Sequence, residues 1–215
     1  MVDLKNRRPL GSRDTKWAAR CAGALADKGV TPNAISQASM GAALVASLAF
    51  VASGYVQGAV GVGALLVLGA LCCQLRLLCN LFDGMVAVEA GRSAPDGPLW
   101  NELPDRVSDL LILAGVGLGI GHPALGMVAG AMAVLTAYTR ELGAGLGLPP
   151  DFSGPMAKPQ RMALVTGAAI LAVFEPLFAT SGTVLTAALW IVAIGAGLTS
   201  LRRAARIRAE LSERG

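Results

Sequence analysis

The strongest constraint on this chain is the length of its apolar runs. A helix needs about 20 apolar residues to cross the hydrocarbon layer of a bilayer. Six runs approach that ruler: Ala34–Gly54, Gly58–Leu81, Asn101–Gly121, Pro123–Tyr138, Met162–Thr180 and Thr183–Leu201. They are continuous rather than alternating, which selects helical spans over barrel strands. The third opens with Asn101, Glu102, Asp105, Arg106 and Asp109 before it turns apolar, and the fourth is short. Composition agrees, with 54% hydrophobic residues, 15% charged and a mean hydropathy of +0.59. A soluble domain carries about a quarter charged residues. A disordered tail, a nucleic-acid module and most soluble enzymes are therefore excluded, and the fold class is an all-α integral membrane protein.

Sidedness follows from the 18 Lys and Arg. Lys5, Arg7, Arg8, Arg13, Lys16, Arg20 and Lys28 precede the first run, and Arg202, Arg203, Arg206, Arg208 and Arg214 follow the last. Arg92 lies between runs two and three, Arg106 in the polar opening of run three, Arg140, Lys158 and Arg161 between four and five, and Arg76 near the end of run two. The opposite connections, Tyr55–Gln57, Gly121–Pro123 and Glu175–Gly182, contain none. Basic residues are retained on the cytoplasmic side, so both termini are expected there. The net charge of +4 is then topological and calls for no nucleic acid.

Residues 1–32 read as a cytoplasmic amphipathic segment, 33–201 as a six-helix transmembrane domain and 202–215 as a basic cytoplasmic tail. Arg13–Ala26 is expected to lie on the membrane as a helix, with Trp17, Ala18, Cys21 and Leu25 on one side and Arg13, Lys16 and Arg20 on another. Gly29 is placed to end it, and Thr31-Pro32 to cap and start the first span. The polar, basic N-terminus argues against a cleaved signal peptide. Cys21, Cys72, Cys73 and Cys79 show no metal or disulfide spacing. His122 falls in an outer turn, and the abundant Gly and Ala permit close helix contacts.

Polar residues concentrate between Asn80 and Asp109. Asn80 and Asp83, three apart, share a helix face, as do Asn101, Asp105 and Asp109 at four-residue steps. Joined by a loop, the two helices run antiparallel and can turn these faces together. An oxygen-only set suits Mg²⁺ or Mn²⁺ rather than Zn²⁺, and such ions at a membrane surface suit a diphosphate. Polar groups beside the bilayer are costly, which favours this reading over ordinary interface charge.

The run Asn80-x2-Asp83-Gly84-x2-Ala87-Val88-x8-Gly97-x3-Asn101-x3-Asp105 resembles the CDP-alcohol phosphatidyltransferase family, whose pattern is D-x2-D-G-x2-A-R-x8-G-x3-D-x3-D. Every interval is kept, and Asp83, Gly84, Ala87, Gly97 and Asp105 match in type. The six spans, the surface helix, the Gly29–Asn33 entry and the basic loop after span four are also similar to that family.

The resemblance implies a phospholipid-synthesising enzyme that transfers a phospho-alcohol group from a CDP-activated lipid or alcohol to a hydroxyl acceptor, releasing CMP. It implies metal ligation by positions Asn80, Asp83, Asn101 and Asp105, with Asp105 also the general base, and a nucleotide pocket formed by Asp83, Gly84, Ala87 and Gly97. Three positions depart: Asn80 and Asn101 replace aspartates and Val88 replaces arginine. An amide oxygen still coordinates a hard cation but brings no charge. Compensation is expected from Asp109, from Arg92 one turn beyond Val88, and from Arg76, which either reaches phosphate or Asp83 or snorkels to the interface. Arg140, Lys158 and Arg161 either bind the acceptor or are positive-inside charge. A homodimer in the bacterial inner membrane, with its active site cytoplasmic, is the implied setting. Two rival readings are a non-catalytic nucleotide- or lipid-binding homologue and a small transporter.

Overall fold

The computed structural model describes residues 15–89 and 96–214, apart from the side chains of Val88, Glu89, Pro98 and Asn101. Arg13 and Arg92 lie outside the described residues. Its elements are helices α1 (Lys16–Asp27), α2 (Pro32–Ser53), α3 (Ala59–Glu89), α4 (Gly97–Gly119), α5 (Pro123–Gly145), α6 (Lys158–Ala172) and α7 (Thr183–Ser212), with a 3₁₀ turn at Glu175–Phe178. By length and composition, α2, the 59–87 segment of α3 and α7 are each able to cross a membrane, with mean hydropathies of 1.6, 2.1 and 2.0. The chain is an integral membrane protein. α4, α5 and α6 carry Asp105, Arg106, Asp109, Arg140 and Arg161, and pack into the same bundle.

Helix packing closes a ring in the order α2, α3, α6, α7, α5, α4 and back to α2, while α3 and α4 touch each other only sparingly. Small residues make the close crossings possible. A Cβ on Gly119 would overlap the Phe50 carbonyl, and one on Gly117 would come within 2.7 Å of the Gly126 Cα. These are backbone-on-backbone approaches between α4 and its neighbours α2 and α5, of the kind small residues permit in membranes. Cys73 is buried in the core and Cys21 exposed; all four thiols are free.

Local signals at the first span hold. Gly29 has φ +74° and ends α1; the Thr31 hydroxyl accepts from the Ala34 amide at 3.2 Å and Pro32 opens α2. The buried stripe of α1 differs from expectation: it runs through Ala18 and Ala22, with Leu25 and Ala26 packed beside them, while Trp17 and Cys21 face outward. Alanines let α1 lie close on the end of α3, and Trp17 reaches Phe82 edge-on at 5.9 Å.

Two boundaries also differ. The fifth run does not continue to Thr180, because Pro176 cannot donate to a helical ladder, and α6 ends at Ala172. The last helix shows no break at residue 201 and runs to Ser212. Between them, Glu175 is buried and accepts the Gly182 and Val184 amides at 2.8 Å each. It thereby satisfies orphan donors at the start of α7 and complements the helix dipole. Glu175→Ala is expected to lower stability by about 1.5–3 kcal/mol, the value of hydrogen bonds to a charged group. Thermal unfolding in detergent tests this, and an unchanged midpoint would remove Glu175 as the cap.

Candidate functional site

The site is built where α3 ends and α4 begins, with α2 and α6 closing over it. The fold alternates helix direction, so the start of α2, the end of α3, the start of α4 and the start of α6 meet at one end of the bundle.

Asp83, 6% exposed, accepts the Ser36 hydroxyl at 2.9 Å and the Gly84 amide at 2.5 Å. One turn earlier on α3, Asn80 uses both ends of its amide. Its Oδ1 accepts the Ser39 hydroxyl at 3.0 Å, and its Nδ2 donates to Asp105 Oδ1 at 2.7 Å. A single side chain thus joins the α3 face carrying Asp83 to Asp105 on α4. Ser36 and Ser39 were missed by sequence reasoning. Their signal was available: two hydroxyls three residues apart in the first turns of an apolar span, on one helix face.

Asp105 gathers three donors. Asn80 and Arg76 Nη2, at 3.4 Å, address Oδ1, and the Lys158 ammonium pairs with Oδ2. Arg76 Nη2 also donates to the Asp105 carbonyl at 3.1 Å, immediately after Pro104 interrupts the amide ladder of α4. One turn deeper, Asp109 lies 2.8 Å from Arg76 Nη2 and 2.5 Å from Arg161 Nη2. The first contact is an ion pair by distance, without hydrogen-bond alignment at Asp109 Oδ1. Arg161 further donates to Thr136 Oγ1 at 3.1 Å and to the Met156 carbonyl at 2.9 Å.

The expected site residues therefore fall into three groups. Asn80, Asp83 and Asp105 come together, with Gly84 and Ala87 on the following turn of α3. Gly97 opens α4, and a Cβ built there meets nothing within 4 Å among the described atoms. Asn101 lies one turn before Asp105, its side chain outside the described residues. Arg76, Asp109 and Arg161 form a buried ion-pair layer beneath: Arg76 engages Asp105 and Asp109, neither Asp83 nor an exposed interface, and Asp109 balances guanidinium groups. Lys158 belongs with Asp105, and Arg140 stands elsewhere. Arg140 pairs with Glu102 and Glu141, and its Cζ lies 5.2 Å over the Phe152 ring. It lines an open cavity of about 230 Å³ between the ends of α5 and α7, together with Pro150, Asp151, Arg203 and Arg206. The loop forming that cavity is pinned by Arg203, which donates to the Ser153 carbonyl at 2.9 Å.

Among the described residues, no three Asp, Glu, His or Cys side chains gather as a metal cage. A carboxylate offers about four lone-pair sites. Asp83 uses two of them within the protein, so the residues present fit one hard cation centred there. At Asp105 three sites are taken, one by an ammonium, and a second divalent ion does not fit without displacing Lys158.

No family profile matches the chain. It is 26% identical over 195 residues to the phosphatidylinositol phosphate synthase of Streptomyces avermitilis, spanning 86% of this chain and 75% of that protein. Among solved structures it shares the fold of Mycobacterium tuberculosis phosphatidylinositol phosphate synthase (PgsA1) in complex with manganese and citrate. The TM-score is 0.73 at 20% identity, covering 88% of each chain. With CDP-DAG bound, the same protein matches at TM-score 0.73 and 19% identity, over 90% of this chain and 94% of that one. The six-helix ring is thus the CDP-alcohol phosphotransferase fold. Every motif interval of the CDP-alcohol phosphatidyltransferase pattern is preserved from Asn80 to Asp105, which agrees with that fold.

Proposed function

We propose that this protein is a membrane phosphatidyltransferase that uses CDP-diacylglycerol as donor and a phosphorylated polyol as acceptor, releasing CMP. The observation that carries the reading is the junction of Asp83 and Asp105 through Asn80 at one end of the bundle. The relative's activity and the donor named in the matched structure support the choice of donor. The basic cavity beside Arg140 supports a phosphate on the acceptor. The absence of Lys and Arg from the opposite connections supports a cytoplasmic site, and the bacterial relative supports a bacterial inner membrane.

In this reading the acceptor oxygen forms a bond to the phosphatidyl phosphorus, and the bond from that phosphorus to the CMP oxygen breaks. Asp105 Oδ2 holds the one lone-pair site left after Asn80, Arg76 and Lys158, and it takes the acceptor's proton. Asp83, with Asn80 and Asn101 as neutral neighbours, holds Mg²⁺ or Mn²⁺. The bound ion neutralises diphosphate charge and so favours departure of CMP. Gly84, Ala87 and Gly97 leave the backbone open to the cytidine, and Ser36 orients the Asp83 carboxylate. Arg140 meets the acceptor phosphate from the cavity, and the lipid tails remain between helices in the bilayer.

A second reading has its own support. Asn80, Asn101 and Val88, with the Lys158–Asp105 pair, suit a homologue that binds nucleotide without turnover. CMP release from CDP-diacylglycerol, with inositol phosphate or glycerol phosphate as acceptor and Mn²⁺ or Mg²⁺ present, separates the two. Metal-dependent release that EDTA removes and Asp83→Ala lowers at least about 100-fold is expected, from the usual scale of lost electrostatic stabilisation. Background release with every acceptor, alongside retained CDP-diacylglycerol binding, overturns catalysis in favour of binding.

A further inference from the structure

We propose that the Lys158 ammonium takes the place of a second divalent ion at Asp105. One Mg²⁺ or Mn²⁺ then arrives with the CDP diphosphate, and Lys158 bridges Asp105 to the phosphate. The inference rests on the phosphatidyltransferase reading and sharpens its metal requirement.

Three observations carry it. First, charge among these groups is already balanced: Asp105 and Asp109 pair with Arg76, Lys158 and Arg161, and Asp83, held by Ser36 and the Gly84 amide, brings the third negative charge. With a CDP-lipid diphosphate bound, two divalent ions would leave two positive charges in excess on a neutral, largely buried cluster, and uncompensated buried charge is costly. One divalent ion matches the two negative charges of a CDP-lipid diphosphate. Second, of the three cations only Lys158 reaches the open side, its side chain being 23% exposed against 0% for Arg76 and 4% for Arg161. An ammonium has three donors, so contact with Asp105 leaves two for a phosphate. Third, Lys158 is the first residue of α6, where the helix dipole disfavours a cation. Helix stability therefore gives no reason for a lysine there, whereas the Asp105 carboxylate does.

The test is Mn²⁺ titration of the full chain in detergent, followed by electron paramagnetic resonance, with and without saturating CDP-diacylglycerol. Wild type is expected to bind one Mn²⁺ per nucleotide and none tightly without it. Lys158→Met is expected to bind two per nucleotide, or to tighten nucleotide-free Mn²⁺ binding at least tenfold. Lys158→Arg, which keeps the charge, is expected to remain at one. Nucleotide bound with two ions in wild type overturns the inference alone, as does a folded Lys158→Met that stays at one with unchanged affinity. Should Lys158→Met fail to fold, the wild-type count decides. Absence of CDP-diacylglycerol binding at every Mn²⁺ concentration overturns the phosphatidyltransferase reading and this inference with it.

Discussion

Asp105→Asn is expected to lower CMP release by about 10²–10⁴-fold, the range spanned by a positioned acid or base, while nucleotide binding changes by only a few-fold. The asparagine keeps the volume of the carboxylate, and its oxygen can still accept from one of the donors now on Asp105. What it loses is the ability to hold a proton. Of the site's carboxylates, Asp83 is occupied by Ser36 and Gly84 and assigned to the cation, and Asp109 is enclosed by two guanidinium groups. Asp105, with one lone-pair site free and its side chain 14% exposed, is the carboxylate left to take the proton. Single-turnover release of CMP separates chemistry from binding. A variant retaining more than about a tenth of the wild-type rate would show that another group takes the proton, since no general base of ordinary strength is dispensable to that degree.

Asp109→Ala is expected to destabilise the protein by about 3–5 kcal/mol, because removing one partner of a buried ion pair leaves the other uncompensated. Here two guanidinium groups lose that partner: Arg161 keeps no carboxylate partner and Arg76 keeps Asp105 alone. Arg76 is 0% exposed with Nε and Nη1 already lacking hydrogen-bond partners, and Arg161 is 3% exposed. Neither can reach water without opening the bundle. The exposed pair between Arg206 and Asp151, 3.0 Å apart with Arg206 58% exposed, supplies the contrast. Arg206→Ala is expected to cost less than about 1 kcal/mol, since solvent screens such pairs. Thermal unfolding of both variants in one detergent is the measurement. Equal shifts would mean that the Arg76–Asp109–Arg161 layer is hydrated and does not support the site.

Several parts of this arrangement were legible residue by residue. Three- and four-residue spacing placed Asn80 with Asp83 and Asn101 with Asp105 on helix faces, and Gly29 with Thr31-Pro32 marked the entry to α2. These are local properties, set by helical period and by the φ that glycine and proline accept. Other assignments needed the fold. Arg76, Lys158 and Arg161 were visible as basic residues, but a charge in a sequence does not say which carboxylate it faces. Lys158 lies 53 residues from Asp105 along the chain and in contact with it in space. Glu175 read as part of an outer connection, yet it caps a helix that begins eight residues later.

The amino-acid order by itself determined that the chain carries helical runs apolar enough for a bilayer, and which residues carry oxygen donors at phosphotransferase spacing. Those conclusions follow from run length and helical period, which act within single segments. Only the tertiary structure decided that Asn80 spends its amide on Asp105, that Arg76 and Arg161 lie buried beneath the site, and that the Lys158 ammonium pairs with Asp105. The reason is that electrostatic pairing in a low-dielectric bundle depends on which helix ends the ring α2–α3–α6–α7–α5–α4 brings together, and no single segment encodes that order.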